Sequence, residues 1–305
     1  MDRIRRTLWA IDLFDFYVRR KVFRKKIPLL ASFKLTYHCN LSCSACPFHK
    51  RAEDNNSQIS WGGAIQALDT LKHYGTRIVV FEGGEPFLWR DGSYGLYDLV
   101  LYAKKRFLRV AVTTNGTFPL DVPADTIWVS IDGLHETHDR LRSGSFARVW
   151  SNLNAAGHPR VMVHFTMNRH NWRELDQLVE QLRHVPAVKG LTVQLFYPYG
   201  RGEPSLSLSP AERKMALENV IRLKKSYPIV NSSYSLDAMI RNTWRYHDDV
   251  LINVDPDGMM TQGCYVKNRG EVNCREYGFT PVAEASGALD LRLGSIFAGW
   301  RAYLS

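Results

Sequence analysis

Three of the five cysteines in this 305-residue chain, Cys39, Cys43 and Cys46, fall at spacing C-x3-C-x2-C. Thiolates so close together can grip one face of an inorganic cluster, but the loop supplies three and no fourth. An iron–sulfur cluster ordinarily takes four thiolates, so three leave one iron with an open coordination position. A metal with an open position does chemistry, whereas a closed shell mostly holds structure together. Two other readings of the same residues stay open. A structural zinc site could recruit His38 or His49 as the fourth ligand, and unconnected thiols could simply pack as small apolar side chains. A disulfide framework is not expected, because a chain of this length needs no covalent staple and no secretory signal precedes the cysteines.

The elements that must carry these residues alternate regularly. Phe33–Tyr37 reads as a strand directly before Cys39, and further β-branched runs follow at Arg77–Glu82, Leu108–Thr114, Thr126–Asp132, Arg160–Met167 and Gly190–Phe196. Helical periods lie between them: Trp61–Tyr74 with Ser60 as N-cap, Leu96–Arg106, Phe146–Ala156, and Asn171 to about His184. Six strand–helix units predict a parallel sheet with right-handed crossovers, a partial (β/α)6 version of the eight-unit TIM-type barrel in the α/β class. In such barrels chemistry gathers where strands end. The suggestive residues all lie there: Cys39–Cys46 after the first strand, Gly83–Pro86 after the second, Asn115 after the third, Ser130 and Asp132 in the fourth, and Tyr197 and Tyr199 after the sixth.

With that placement, C-x3-C-x2-C after a first strand resembles the radical S-adenosylmethionine (SAM) superfamily. The resemblance implies that Cys39, Cys43 and Cys46 hold a [4Fe–4S] cluster whose fourth iron is chelated by the amine and carboxylate of SAM. The aromatic residue that often precedes the last cysteine is replaced by Ala45, and Phe48 is the candidate to take over adenine packing. Gly83-Gly84-Glu85-Pro86 is similar to the superfamily's glycine-rich SAM motif. Two glycines let backbone approach a ligand, and their carbonyls can accept from an ammonium group. Thr113–Gly116, with Asn115, is similar to the third-strand motif that reaches the ribose or methionyl part of SAM. Val129–Gly133, with His138, Asp139 and Arg142 downstream, resembles the fourth-strand segment, implying that Ser130 and Arg142 bind the SAM carboxylate, with Asp132 alongside. The simpler roles are a turn before Gly116 for Asn115 and a helix cap for Asp132. The chemistry implied is one-electron reductive cleavage of SAM to a 5′-deoxyadenosyl radical that abstracts a substrate hydrogen, fed by a reductant such as flavodoxin or ferredoxin. Tyr197 and Tyr199 are the candidate substrate contacts; packed aromatics are the alternative.

Beyond residue 200 the pattern changes. Helices are expected at Pro210–Lys225 and Leu236–Arg245, and Val250–Cys264 reads as a hairpin around an Asp-Pro-Asp-Gly turn. A hairpin ending on cysteine, followed by Leu293-Gly-Ser-Ile-Phe297 and Trp300, resembles the SPASM or twitch extensions that carry auxiliary clusters. Only Cys264 and Cys274 remain as ligands, and Tyr277 stands where a C-x2-C pair would place a third. A degenerate α+β cap over the barrel is the expectation, with a cluster completed by other ligands or a redox pair as alternatives. The organisation expected is therefore residues 1–30 as an N-terminal amphipathic basic helix, 31–200 as the barrel and 201–305 as the cap.

Composition bounds the partners. Hydrophobic residues make up 45% of the chain, enough for a sizeable core. No apolar run reaches bilayer-spanning length and no signal peptide is present, so a cytoplasmic location is expected. The net charge is +10, which suits an acidic partner. Residues 3–26 concentrate Lys and Arg around the aromatic stretch Leu8–Val18, the pattern of a helix lying in a membrane interface; a helix laid across the open side of the barrel is the alternative. That segment, with a looser similarity in layout to the enzymes that form adenosylhopene, points to an isoprenoid or lipid substrate. The auxiliary-like tail points instead to a peptide or small metabolite. A non-enzymatic iron–sulfur or zinc module is a third reading. Nothing reads as a nucleic-acid module, so no nucleic-acid partner is expected.

Overall fold

The computed structural model describes residues 3–46, 48, 57–198, 204–265 and 280–304. Six parallel strands form the expected barrel wall: β1 (Leu30–Thr36), β2 (Ile78–Gly83), β3 (Arg109–Thr114), β4 (Thr126–Ser130), β5 (Val161–Met167) and β6 (Val188–Leu195). Each pairs in parallel with the next, in register from Leu30↔Ile78 onward. Between them run α2 (Trp61–Tyr74), α3 (Leu96–Lys104), α4 (His135–Leu141), α5 (Phe146–Ala155) and α6 (Leu175–Arg183).

The side-chain period of two sorts every strand into two faces. In β1, Ala31, Phe33 and Leu35 join a large outer core with Leu68 and Leu71 of α2 and Leu99 of α3. Leu30 and Ser32 turn inward to line the barrel interior. Helix boundaries follow local chemistry: Ser60 caps α2 by accepting from the Gly63 N–H, and Gly75 ends it at φ 86°, a left-handed position that glycine adopts without steric cost.

The C-terminal third builds onto this wall. The expected hairpin forms, as β7 (Leu251–Val254) and β8 (Met260–Gln262), but it belongs to the barrel sheet. β7 pairs in parallel with β1, and β8 pairs antiparallel with β7, giving the order β8-β7-β1-β2-β3-β4-β5-β6. Helices α7 (Pro210–Leu223) and α8 (Ser233–Arg241) precede it, and α9 (Thr280–Leu289), α10 (Leu293–Gly299) and a last turn, Trp300–Leu304, follow. Thr280 bonds Gln194 and the Val193 carbonyl of β6, fastening the start of α9 to that edge strand. Arg109, Thr126 and Arg160, at or just before the starts of β3, β4 and β5, donate to the carbonyls of Tyr303, Ala302 and Arg301. The last turn therefore lies across the strand N-termini. Ser232, which caps α8, meets Glu284 of α9 and Ser295 of α10, tying the three helices together.

The N-terminal helix α1 (Arg3–Lys21) packs against the same end. Arg77, just before β2, reaches Asp12 at 2.7 Å and Asp15 at 3.1 Å. Arg20 pairs with Asp249 at 2.9 Å, and the Tyr17 hydroxyl donates to the Ala288 carbonyl. No helix among the described residues is long and apolar enough to cross a membrane.

Candidate functional site

A cavity of about 350 Å³ runs through the barrel from the cysteine loop to the C-terminal helices. At its upper end the loop after β1 is pinned from two sides. Ser44 N donates to the Leu141 carbonyl at the end of α4, and Ser42 N donates to Ser143 Oγ. On the other side Asn40 bonds both Thr117 and Asn115. All three thiols border the cavity, and two of them accept backbone N–H groups: Leu41 N reaches Cys39 Sγ at 3.4 Å and Phe48 N reaches Cys46 Sγ at 3.3 Å. Asn115 Nδ2 adds a third donor, 3.6 Å from Cys39 Sγ. Burial pushes the Cys39 and Cys43 thiols up, with Arg142 pulling Cys43 back. The N–H donors to Cys39 and Cys46 and the guanidinium near Cys43 offset part of that burial and would favour thiolates once a metal is bound.

Of the two histidines considered for a zinc site, one is already engaged. His38 is engaged with Ser57 Oγ at 2.6 Å, and among the described residues no three His, Cys, Asp or Glu side chains converge on a single ion. A cube of iron and sulfide holds its thiolates further apart than one zinc ion does. His49, the other histidine considered, lies outside the described residues.

Arg142 sits beneath the loop. Its Nη1 donates to Asp132 Oδ2 at 2.7 Å, and burial works against its charge while Cys43 and Asp132 raise its pKa. Its Nε is buried with no partner and the residue borders the cavity. A buried donor left unsatisfied costs about 1–3 kcal/mol, so the fork has room for an acceptor such as a carboxylate. Asp132 does not cap a helix: α4 begins after Leu134 without a side-chain cap. Its other oxygen accepts from Thr166 N at 2.8 Å, so the carboxylate braces Arg142 against β5. Ser130 lines the cavity beside them.

The glycine motif divides. Gly83 and Gly84 line the cavity, and a side chain on Gly84 would collide with the His38 and Tyr37 carbonyls, so only glycine lets the two loops touch. Glu85 and Pro86 do not border the cavity, contrary to the expectation that the whole tetrapeptide faces a ligand. Glu85 is fully buried, and its carboxylate accepts from Phe87 N (3.1 Å), Thr114 Oγ1 (2.8 Å) and Asn115 N (2.7 Å). It clamps β2 to β3. Burial outweighs those three donors and pushes its pKa to about 7. Pro86 opens a short 3-10 turn. Asn115 serves the turn, accepting from Thr117 N, and its side chain also faces Cys39.

Phe48 stacks on Tyr37 at 5.9 Å and meets Tyr265 at 5.1 Å. Tyr197 is buried and lines the cavity; Tyr199 lies outside the described residues. Cys264 is buried at the end of β8, where its N–H donates to the Tyr246 hydroxyl, and it does not border the cavity. Cys274 and Tyr277 lie outside the described residues.

Sequence reading missed the polar belt below this level. Lys34, fully buried, donates to Ser32 and to Asn253 Oδ1 at 2.6 Å, stands 3.4 Å from Glu82, and lies over the Tyr265 ring. His164, whose pKa burial lowers, joins Gln194 and Asn231 in the same belt. The available signal was polar residues at alternate strand positions, at 32 and 34, 164 and 166, 192 and 194. Below the belt the wall becomes apolar: Leu30, Ile78, Trp128, Val230, Leu251 and Ala288.

A family model described as "Radical SAM superfamily" matches residues 33–182, from β1 to the end of α6. The chain carries a radical SAM domain. The cofactors of that superfamily are a [4Fe–4S] cluster and SAM. Among similar proteins, Fe-coproporphyrin III synthase of Methanosarcina barkeri is 26% identical over 65% of this chain and 52% of its own length. The sporulation killing factor maturation protein SkfB of Bacillus subtilis is 30% identical over 53% of this chain and 41% of its own. The radical SAM chain thus spans about half the length of the curated relatives it matches. In fold it is similar to Streptococcus suis SuiB, solved with SAM and with its precursor peptide SuiA. The SAM complex superposes with TM-score 0.64 at 15% identity, over 89% of this chain and 70% of that one.

Proposed function

We propose that this chain is a radical SAM enzyme that abstracts a hydrogen atom from an apolar, isoprenoid- or lipid-like substrate held in the lower half of the barrel. When bound, the cluster and SAM supply reductive cleavage of SAM to a 5′-deoxyadenosyl radical, drawing one electron from a flavodoxin- or ferredoxin-type donor. Cys39, Cys43 and Cys46 would hold the cluster, with Leu41 N, Phe48 N and Asn115 donating to their sulfurs. Arg142, held by Asp132, would bind the SAM carboxylate with Ser130, and the Gly83–Gly84 backbone would face its amine. Phe48 and Tyr37 offer a stacking face for the adenine. Residues 31–200 would form the catalytic domain, its sheet extended by the 251–262 hairpin, with α1 and the C-terminal helices at its far end. Cys264, set apart from the cavity, fits a cap that has lost an auxiliary cluster.

The carrying observation is the cavity itself. A polar belt lies below the cysteine loop, and an apolar floor below the belt, so a substrate with a functional group near one end and a hydrocarbon body would fill both. Excluding water at that depth protects a radical from quenching. The test is anaerobic reconstitution with iron and sulfide, reduction with dithionite, and chromatography for 5′-deoxyadenosine, with polyprenyl and hopanoid precursors compared against peptides. Product from wild type and none from Cys43→Ala is expected, with stimulation by the apolar compounds. Unchanged product from Cys43→Ala overturns the site assignment.

Peptide modification is the second reading. It is favoured by the peptide complex of SuiB and by the maturation proteins among the relatives. Stimulation by a peptide and by none of the lipids would establish it.

A further inference from the structure

The end of the barrel opposite the cysteine loop is built from two elements far apart in sequence, and both turn large apolar side chains to solvent. On α1, Ile11 and Phe14 lie one turn apart, 59% and 70% exposed, and Val22 just beyond the helix is 69% exposed. Phe23 follows at 64%. On the C-terminal helices, Leu293 is 70% and Phe297 64% exposed, with Leu291 and Trp300 also open. The two elements meet at the end of α1. Tyr17 donates to the Ala288 carbonyl, and Lys21 lies 3.8 Å from Asp290, so the end of α1 runs beside the end of α9 and Leu291.

Charge is sorted on the same surface. The two acids of α1 are both paired: Arg77 takes Asp12 and Asp15, and Arg19 also reaches Asp15. Residues 21–26, Lys-Val-Phe-Arg-Lys-Lys, are all exposed, placing Arg24, Lys25 and Lys26 beside Val22 and Phe23. Scattered apolar residues on a surface need no explanation, but several large ones gathered at one end of the molecule beside a run of lysine and arginine do. Aromatic and aliphatic side chains beside uncompensated lysine and arginine match the acyl boundary and headgroups of an anionic bilayer. The inner faces of the same helices form the cavity floor, where Ala285, Ala288, Ala298 and Ala302 line it.

We propose that this end of the barrel is a docking face for an anionic bilayer, with α1 and the C-terminal helices inserting together and Arg24, Lys25 and Lys26 meeting the headgroups. The proposal rests on the lipid reading of the substrate and adds the partner surface and both elements that build it. Docked this way, a single layer of helix separates the apolar cavity floor from the lipid.

The test is co-sedimentation of the full chain with phosphatidylcholine vesicles, with and without phosphatidylglycerol, with melting curves confirming that every variant is folded. Wild type should pellet with the anionic vesicles and be released by salt. At about fivefold in partitioning for each basic residue near the surface, Lys25→Glu combined with Lys26→Glu should weaken binding by about 25-fold or more. Phe14→Asp and, independently, Phe297→Asp should each move most of the protein to the supernatant. Wild type remaining in the supernatant overturns the proposal. Phe297→Asp pelleting like wild type overturns the joint face. A dimer in sedimentation velocity that Phe14→Asp dissolves, without vesicle binding, assigns the surface to a second copy instead. Apolar-substrate turnover in detergent reports separately: its presence without vesicle binding sinks the docking face alone, and vesicle binding without it sinks the substrate reading alone.

Discussion

Replacing Glu85 by glutamine should change how stability depends on pH. The carboxyl is fully buried and accepts from Phe87 N, Thr114 Oγ1 and Asn115 N, yet burial holds its pKa at about 7 against an ordinary 4.5. A raised carboxyl pKa means that the native state keeps a proton the unfolded chain has released. Its contribution to stability is therefore whole below about pH 4.5 and is lost as pH rises through about 7. A shift of about 2.5 units at about 1.36 kcal/mol each comes to roughly 3 kcal/mol across that window. Glutamine does not titrate, but its NH₂ would face one of the N–H donors, an offset of about 1–3 kcal/mol present at every pH. In anaerobic urea unfolding of the cluster-free protein, Glu85→Gln should be the less stable protein at pH 5. The gap should close, or invert, by pH 8. Parallel stability curves for the two proteins would show that the three donors keep Glu85 ionised throughout, and the argument from burial would be wrong.

Other consequences are narrower. Gly84→Ala should destabilise the fold by about 1–3 kcal/mol, read by urea unfolding, because the new methyl meets the His38 and Tyr37 carbonyls; it should also lower the iron retained on reconstitution. Arg142→Lys keeps the charge but loses the fork that grips Asp132 and leaves Nε free, so calorimetric SAM affinity should fall by about tenfold or more with little change in melting temperature. Ala285→Leu, on the cavity floor, should leave SAM cleavage without substrate intact and weaken stimulation by the apolar substrate.

Much of this architecture was legible because it rests on short-range rules. Helix α2 has the bounds that Ser60 and its apolar period announced, and the barrel strands read as β-branched runs interrupted by glycine or asparagine. The cysteine spacing and the motifs at strand ends marked the upper half of the cavity. What sequence could not show depends on distant pairing. Leu251–Val254 has the composition of any hairpin strand, and only its pairing with β1 makes it part of the barrel wall. Glu85 looked like a ligand because it follows two glycines; its partners Thr114 and Asn115 lie thirty residues on. Helix α9, Thr-Pro-Val-Ala-Glu-Ala-Ser-Gly-Ala-Leu, is buried on nearly every side, so it carries no amphipathic period to announce it.

The small residues of α9 and α10 also bear on what the C-terminal third is for. A cap whose only task was to stabilise the barrel would gain most by filling the interior with leucine and phenylalanine, at about 25 cal/mol per Å² of apolar surface buried. Instead Ala285, Ala288, Ala298 and Ala302 face the cavity, while the large side chains Leu293 and Phe297 face outward. Both choices cost stability in an isolated globular domain, since one leaves a void and the other leaves apolar surface in water. The costs are offset together if something apolar occupies the void and something apolar covers the surface. The 251–262 hairpin is consistent with this division: its first strand pairs with β1 in the barrel sheet, and Cys264 beyond it sits buried against Tyr246, off the cavity. If that is right, adding a medium-chain hydrocarbon probe should raise the melting temperature of wild type. It should do so much less for Ala285→Leu, whose side chain already takes up part of the space. Equal shifts in both would mean that the void is never filled, and that the alanines are there for helix packing alone.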